Sequence, residues 1–235
     1  MKLSVLIPVY NEENTVADLI EKVMKIQGQG VIDELEIVAV DDCSSDKTLQ
    51  VLKKFEDKGV KLLRHEKNQG KGAAVRTAIK GATGDLTVFQ DADLEYDPQD
   101  IVKMCEKVQE YELDVLYGSR FLDNRTSPLG KFHYMVNAGL TTLSNLFTGL
   151  KLTDMETCYK MFRTEIIQKI DIEENRFGLE PEITAKIAGF VRKDGLKMKE
   201  MPIRYNPRKH DEGKKIGFSD GLRAVYIIFK YGIIK

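Results

Sequence analysis

The sequence predicts an α/β protein with a mostly parallel central sheet covered by helices on both faces. Three observations carry this. Short runs rich in β-branched residues alternate with amphipathic helical patterns through the first half of the chain. The runs are continuously apolar, the mark of strands buried on both faces. Polar, chemistry-bearing residues fall just after those runs, where ligands bind in open parallel sheets.

The elements follow in order. "LSVLIPV" (3–9) reads as a strand, and "NTVADLIEKVMKI" (14–26) as a helix with Val16, Leu19, Ile20, Val23 and Met24 on one face behind an Asn/Thr start. "LEIVAV" (35–40) is a second strand and "SSDKTLQVLKKFEDKG" (44–59) a capped helix. "VKLLRH" (60–65), "GKGAAVRTAIKGATG" (70–84) and "DLTVFQ" (85–90) read as strand, helix and strand. The first 118 residues therefore read β-α-β-α-β-α-β. Beyond Tyr117 the alternation fades into a loop, a long helix over 131–150 and mixed elements, expected to complete the sheet and build a second binding side within a single domain spanning 1–235.

Composition narrows the function. With 36 basic and 37 acidic residues and a net charge of −1, a uniformly basic nucleic-acid surface is disfavoured, so phosphate recognition has to be local. Cys43, Cys105 and Cys158 are scattered and odd in number, which suggests neither a disulfide framework nor a zinc site and fits a cytoplasmic setting. No stretch approaches the roughly 18 uninterrupted apolar residues of a membrane span. The first apolar run lacks a signal-peptide cleavage pattern and is taken as a strand.

Four strand-end motifs converge on one edge: "PVYNEEN", "DDCSSD", "NQGKG" and "DADLEYD". In the last, Asp91, Asp93, Glu95 and Asp97 crowd negative charge that calls for a cation. Asp91 and Asp93 are spaced to turn toward one ion, and hard oxygen ligands suit Mg²⁺ or Mn²⁺ on a diphosphate. Of the carboxylates Asp41 and Asp42, one is expected to cap the following helix and the other to accept hydrogen bonds from a nucleobase or ribose. The spacing leaves open which does which. "GKGAAV" fits neither the Walker pattern nor G-x-G-x-x-G, which disfavours a dinucleotide oxidoreductase. Its glycines still permit close backbone approach, with Lys71 supplying charge. Glu180 and Glu182 flank Pro181 and read first as capping acids.

Together "VLIPVYNEENTV", "VAVDDCSSDKT", "NQGKGAAVRTAIKGATGD", "FQDADLEYDP", "YGSRF", "TDMETCYKMFR" and "PIRYNPRKHDEGKKIGFSDGLRA" resemble the inverting family 2 nucleotide-sugar glycosyltransferases, nearest the dolichyl- or polyprenyl-phosphate hexose synthases. The resemblance covers nearly the whole chain in order. It implies a GT-A fold, with Pro8, Tyr10, Glu12, Asp41, Asp42, Lys71, Asp91, Ala92 and Asp93 around the nucleotide sugar. Asp91 and Asp93 match the metal motif. Glu95 stands where mannose synthases often have Gln, adding a third candidate ligand and weakening any specific expectation of a mannose donor. Asp154, Asp93 and Arg208 become the catalytic candidates, with Asp154 acting as base or orienting the acceptor site. Cys158 replaces a more usual Gly.

The chemistry expected is metal-dependent, inverting transfer of a hexose from a UDP- or GDP-linked donor to dolichyl or polyprenyl phosphate. A phosphate monoester is largely dianionic at neutral pH, so such an acceptor needs cations more than a base. Arg120, Arg125, Lys131, Arg208, Lys214 and Lys215 supply them, and arginine's fork suits phosphate oxygens. The apolar stripe Phe132, Val136, Leu140, Leu143, Phe147 and Leu150 suits either core or the membrane interface, and a peripheral position on the cytoplasmic face follows from a lipid acceptor. The weighed alternatives are a family 2 enzyme acting on hydroxyl acceptors, a non-catalytic nucleotide-sugar-binding module, and a sugar-phosphate nucleotidylyltransferase. The last would want a glycine-rich basic loop after the first strand.

Overall fold

The computed structural model describes residues 1–123, 130–208 and 218–232. Among these, seven strands form one sheet in the order β3-β2-β1-β4-β6-β5-β7. They are β1 (Lys2–Val9), β2 (Glu34–Asp41), β3 (Lys61–Arg64), β4 (Leu86–Phe89), β5 (Val115–Ser119), β6 (Lys160–Arg163) and β7 (Met198–Pro202). β1 to β4 run parallel, β5 pairs parallel with β7, and only β6 is antiparallel to its neighbours. The expected mostly parallel sheet is present, and its apolar runs are buried along nearly their whole length in β1 and β4.

The helices are α1 (Val16–Met24), α2 (Thr48–Lys53), α3 (Lys71–Gly81), α4 (Gln99–Glu110), α5 (Lys131–Thr148), α6 (Thr164–Ile167), α7 (Leu179–Asp194) and α8 (Phe218–Gly232). In α1 the expected stripe Val16, Leu19, Ile20 and Val23 is buried, because apolar spacing of three and four residues keeps one face on the sheet. The helix read over 44–59 is shorter. α2 ends at Lys53, and a separate 3₁₀ turn spans Glu56–Lys58 where the Phe55 carbonyl accepts from both the Lys58 and Val60 N–H groups. α4 was not assigned from the sequence.

The chain builds β1, β2 and β3 outward, then crosses back to place β4 on the other side of β1. That reversal opens a crevice beyond the carboxyl ends of β1 and β4, the position where such sheets bind ligands. Register puts Val9 beside Asp41 and Leu6 beside Phe89, so the loops after β1, β2 and β4 leave from adjacent points.

The apolar stripe of α5 divides. Leu140, Leu143, Phe147 and Leu150 pack against the core, whereas Phe132, Met135, Val136 and Leu146 are exposed. α8 lies alongside, with the Phe147 and Phe229 rings 4.9 Å apart, and exposes Leu222, Tyr226 and Phe229. No described helix is long and apolar enough to cross a membrane.

Candidate functional site

The loop after β1 is sewn to the loop after β2. Asn11, held at φ 51°, donates its N–H to Ser44 Oγ at 3.0 Å and accepts the Ser45 N–H on Oδ1 at 2.8 Å, and the Glu12 N–H reaches Thr48 Oγ1 at 2.7 Å. Ser44, Ser45 and Asp46 therefore fix one loop to another rather than simply ending a helix.

Neither Asp41 nor Asp42 caps α2. Asp42 Oδ1 is 2.6 Å from His65 Nδ1 and accepts the Gln69 N–H at 2.9 Å, while Oδ2 accepts the Gly70 N–H at 2.7 Å. His65 Nε2 meets Thr77 Oγ1 at 2.9 Å. Asp42 is thus the brace of the turn leading into α3. Asp41 is fully buried; its Oδ1 accepts the Ser44 N–H at 3.3 Å, and Oδ2 has no hydrogen-bond donor, with Arg64 Nε 3.6 Å away. A buried carboxylate oxygen left open in this way is costly unless a ligand fills it.

The glycines before α3 approach protein, not an open cradle. A Cβ on Gly72 would lie 2.1 Å from the Glu174 carbonyl oxygen and one on Gly70, at φ +96°, 2.3 Å from that of Asn175. The Asn175 carbonyl also accepts the Ala73 N–H at 3.2 Å, so segment 174–175 covers the start of α3. Lys71 reaches past it to Asp91 Oδ1 at 2.9 Å and Glu180 Oε1 at 3.0 Å. Burial works to lower the Lys71 pKa, but the charges of Asp91 and Glu180 outweigh it and hold the ammonium well above its ordinary range. Glu180, read from the sequence as a capping acid, is a buried member of the site. Glu182 accepts the Glu173 and Glu174 N–H groups instead, each at 2.8 Å.

Asp93 lies between like charges. Burial, then Asp91 and Glu95, push its pKa up to about 7. Carboxylates crowded in this way raise one another's pKa, and on the Asp91 side the charge is met by Lys71. The Glu95 carboxylate, though close to Asp93, is engaged by other partners. Its Oε2 accepts from Tyr205 OH at 2.8 Å and its Oε1 from the Arg208 N–H at 2.8 Å, and among the described residues no three His, Cys, Asp or Glu side chains form a metal set. The expected third ligand thus anchors the segment after β7.

That segment lies across the site. Tyr205 bridges to Tyr96, Arg204 grips the buried Asp100 through Nε and Nη2, and the Asn206 N–H donates to the Glu95 carbonyl at 2.8 Å. In the same segment Arg208 donates from Nη2 to Glu12 Oε2 at 2.6 Å and from Nε to the Asp93 carbonyl at 2.9 Å. Expected on the acceptor phosphate, Arg208 here ties the first loop to the acidic motif.

Arg120, also expected on phosphate, is held by Asp154. Its Nε donates to Oδ2 at 2.7 Å and its Nη2 to Oδ1 at 2.8 Å, and its backbone N–H adds a third bond at 3.0 Å. The guanidinium sits by the rings of Phe121 and Tyr205. Both carboxylate oxygens of Asp154 are thus engaged by Arg120. Pro8 lies in β1 and Ala92 is buried between the two motif aspartates. Arg125, the Lys131 side chain, Lys214 and Lys215 lie outside the described residues.

Comparison with known proteins shows the family. The glycosyl transferase family 2 domain matches residues 4–171. The dodecaprenyl-phosphate galacturonate synthase of Rhizobium johnstonii is 31% identical over 231 residues, 96% of this chain and 64% of that protein. The dolichol-phosphate mannosyltransferase of Pyrococcus furiosus is 28% identical over 239 residues, covering 98% of this chain and again 64% of the relative. The chain thus spans less than two thirds of either relative's length. Glucosyl-3-phosphoglycerate synthase from Mycobacterium tuberculosis, solved with Mn²⁺, UDP-glucose and glycerol 3-phosphate, superposes with a TM-score of 0.72 at 18% identity, over 100% of this chain and 81% of that one. The expected GT-A architecture is the one these structures share.

Proposed function

The chain belongs to glycosyl transferase family 2, and we propose that it transfers a hexose, with inversion, from a UDP- or GDP-linked donor to a polyprenyl or dolichyl phosphate. The observation that carries this reading is the crevice beyond the carboxyl ends of β1 and β4, where Asp91 and Asp93 accumulate negative charge, with Asp41 at the end of the neighbouring β2 keeping a buried oxygen without a donor. Relatives named for polyprenyl-phosphate acceptors favour a phosphate over a hydroxyl acceptor.

In this reading each residue has a role. Tyr10, Glu12 and Asp41 line the nucleoside pocket, and Asp41 Oδ2 is the acceptor a base or ribose donor would meet. Asp91 and Asp93 would hold Mg²⁺ or Mn²⁺, an ion that would supply positive charge for the leaving diphosphate. Lys71, fixed by Glu180, keeps Asp91 oriented and adds a positive charge beside the same phosphates. Arg208 closes the nucleotide side by joining Glu12 to the Asp93 backbone. Arg120, locked by Asp154, presents a fixed guanidinium edge on the other side of the site, and an acceptor phosphate that is already dianionic attacks without a protein base.

Access for a lipid comes from the surface of α5 and α8, where Phe132, Met135, Val136, Leu146, Leu222, Tyr226 and Phe229 give an apolar face suited to the headgroup boundary of the cytoplasmic leaflet. Titration of UDP and GDP against the protein, with and without Mn²⁺, tests the nucleotide site. Metal-dependent binding of one nucleotide, lost in Asp91→Ala and Asp93→Ala variants that keep their fold, supports it. Binding indifferent to metal and to both substitutions overturns the metal assignment.

A further inference from the structure

Two polar groups in the heart of the molecule have no work in the machinery described so far. In the turn between Asp154 and β6, Thr157 is wholly buried and its Oγ1 makes no hydrogen bond, and the Oε1 of Glu156 is likewise shut off from solvent without a donor. Their neighbours are fully engaged. Asp154 holds Arg120, Lys160 Nζ donates to the Met155 carbonyl at 2.9 Å and to the Thr157 carbonyl, and the Cys158 N–H donates to Tyr96 OH at 3.2 Å. Two orphaned groups on adjacent residues of an otherwise satisfied turn are the mark of a site shaped for something absent.

Their position says what. One end of the turn is fixed to Arg120, on the acceptor side. At the other end, the Cys158 N–H donates to Tyr96 OH at 3.2 Å, in the segment that continues the acidic motif. Glu156 itself is raised to about 7 by burial and by Glu180, with Lys160 and Arg120 acting in the opposite sense. The turn therefore lies between the groups assigned to the diphosphate and those assigned to the acceptor. In any transfer, the moving sugar occupies that interval.

Resting on the reading that the chain transfers a hexose, we propose that Glu156 and Thr157 form the sugar subsite, hydrogen-bonding hydroxyl groups of the transferred ring and selecting an uncharged hexose over a uronate. A carboxyl and a hydroxyl together offer the acceptor and donor capacity that a ring of vicinal hydroxyls requires. A sugar carboxylate brought to the same place would meet Glu156 and Glu180, whereas the nearby cations are already engaged: Lys160 donates to main-chain carbonyls, Arg120 is held by Asp154 and Lys71 by Asp91 and Glu180. Sites built to hydrogen-bond a substrate hydroxyl discriminate strongly because their buried polar groups are otherwise unpaired.

The test separates sugar from nucleotide. Binding of UDP, UDP-glucose, UDP-galactose, UDP-glucuronate, GDP and GDP-mannose is measured calorimetrically with Mn²⁺ on wild type, Glu156→Gln, Thr157→Val and the control Thr157→Ser. In wild type one neutral nucleotide hexose binds more tightly than its nucleoside diphosphate and than the uronate. Glu156→Gln and Thr157→Val each weaken that hexose about tenfold while the diphosphate changes less than about twofold, and Thr157→Ser retains most of the affinity. Glu156→Gln also narrows the gap between hexose and uronate. Equal losses for diphosphate and nucleotide sugar, no loss for either, or a wild type that gains nothing from the sugar would overturn the subsite. Transfer to polyprenyl phosphate is scored separately. Selective loss of sugar binding without lipid product keeps the subsite and removes the proposed acceptor. Lipid product with unchanged sugar selectivity does the reverse.

Discussion

Replacing Arg120 by Met removes the one side chain among the described residues that grips both oxygens of Asp154, and the cost can be worked from the structure. Asp154 is fully buried and the Arg120 side chain is only 10% exposed. The substitution keeps most of the aliphatic stem but deletes bonds of 2.7 and 2.8 Å, leaving the carboxylate with the Arg120 N–H at 3.0 Å and no charged partner at hydrogen-bond distance. Stranding one member of a buried pair costs about 3–5 kcal/mol. At about 2–4 °C per kcal/mol for a chain of this size, the midpoint of thermal unfolding should fall by about 6–20 °C. Asp154→Asn, which removes the charge, should cost less, and the double variant should be more stable than Arg120→Met alone because no uncompensated charge remains. Urea unfolding followed by circular dichroism reads all four forms. An Arg120→Met protein within about 1 kcal/mol of wild type, or a double variant no better than Arg120→Met, would refute the assignment of Arg120 to Asp154.

Other outcomes follow from the same structure. Gly72→Ala drives a Cβ to 2.1 Å from the Glu174 carbonyl oxygen and should destabilise by more than about 2 kcal/mol, whereas Gly139→Ala, with nothing within 4 Å on α5, should be neutral or stabilising by up to about 1 kcal/mol; urea midpoints compare them. The Glu156 carboxyl, raised from its ordinary 4.5 to about 7 by burial and Glu180, holds its proton more tightly folded than unfolded. Stability should therefore fall as pH rises from about 4.5 to about 7 and level off above, and Glu156→Gln should flatten part of that slope in unfolding midpoints measured from pH 4.5 to 8, with Asp93 contributing in the same sense. Phe132→Glu with Leu146→Glu alters only exposed side chains, so cosedimentation with anionic vesicles should drop while the melting temperature holds; undiminished cosedimentation would count against the apolar face of α5 and α8 as the membrane contact.

The sheet was legible because its strands are continuous apolar runs, and the site was legible as a place because polar residues cluster after them. Local pattern gave Asp91 and Asp93, whose two-residue spacing carries its own electrostatic logic. What escaped depends on partners distant in sequence. Nothing near Lys71 announces Glu180, which comes 109 positions later and is delivered by α7. The glycines at 70 and 72 carry the same letters whether they face a phosphate or the backbone of 174–175. Arg120 and Asp154 each look like a free functional group until β5 and the turn before β6 are set side by side. Glu95 and Arg208 were placed in different roles because the segment after β7 folds back over the acidic motif, a tertiary event that no spacing records. The division of labour between Asp41 and Asp42 also needed the structure, since His65 and the turn before α3 claim Asp42 and leave Asp41 with the open oxygen.

The central claim is tested most directly by incubating the protein with labelled UDP- and GDP-hexoses, Mn²⁺ or Mg²⁺ and polyprenyl phosphate, and counting label in the organic phase. The account predicts lipid-linked label from one neutral nucleotide hexose, only when metal and phosphorylated lipid are both present, and its loss in Asp91→Ala and Asp93→Ala. Label that forms equally well on unphosphorylated polyprenol, or without metal, would contradict it.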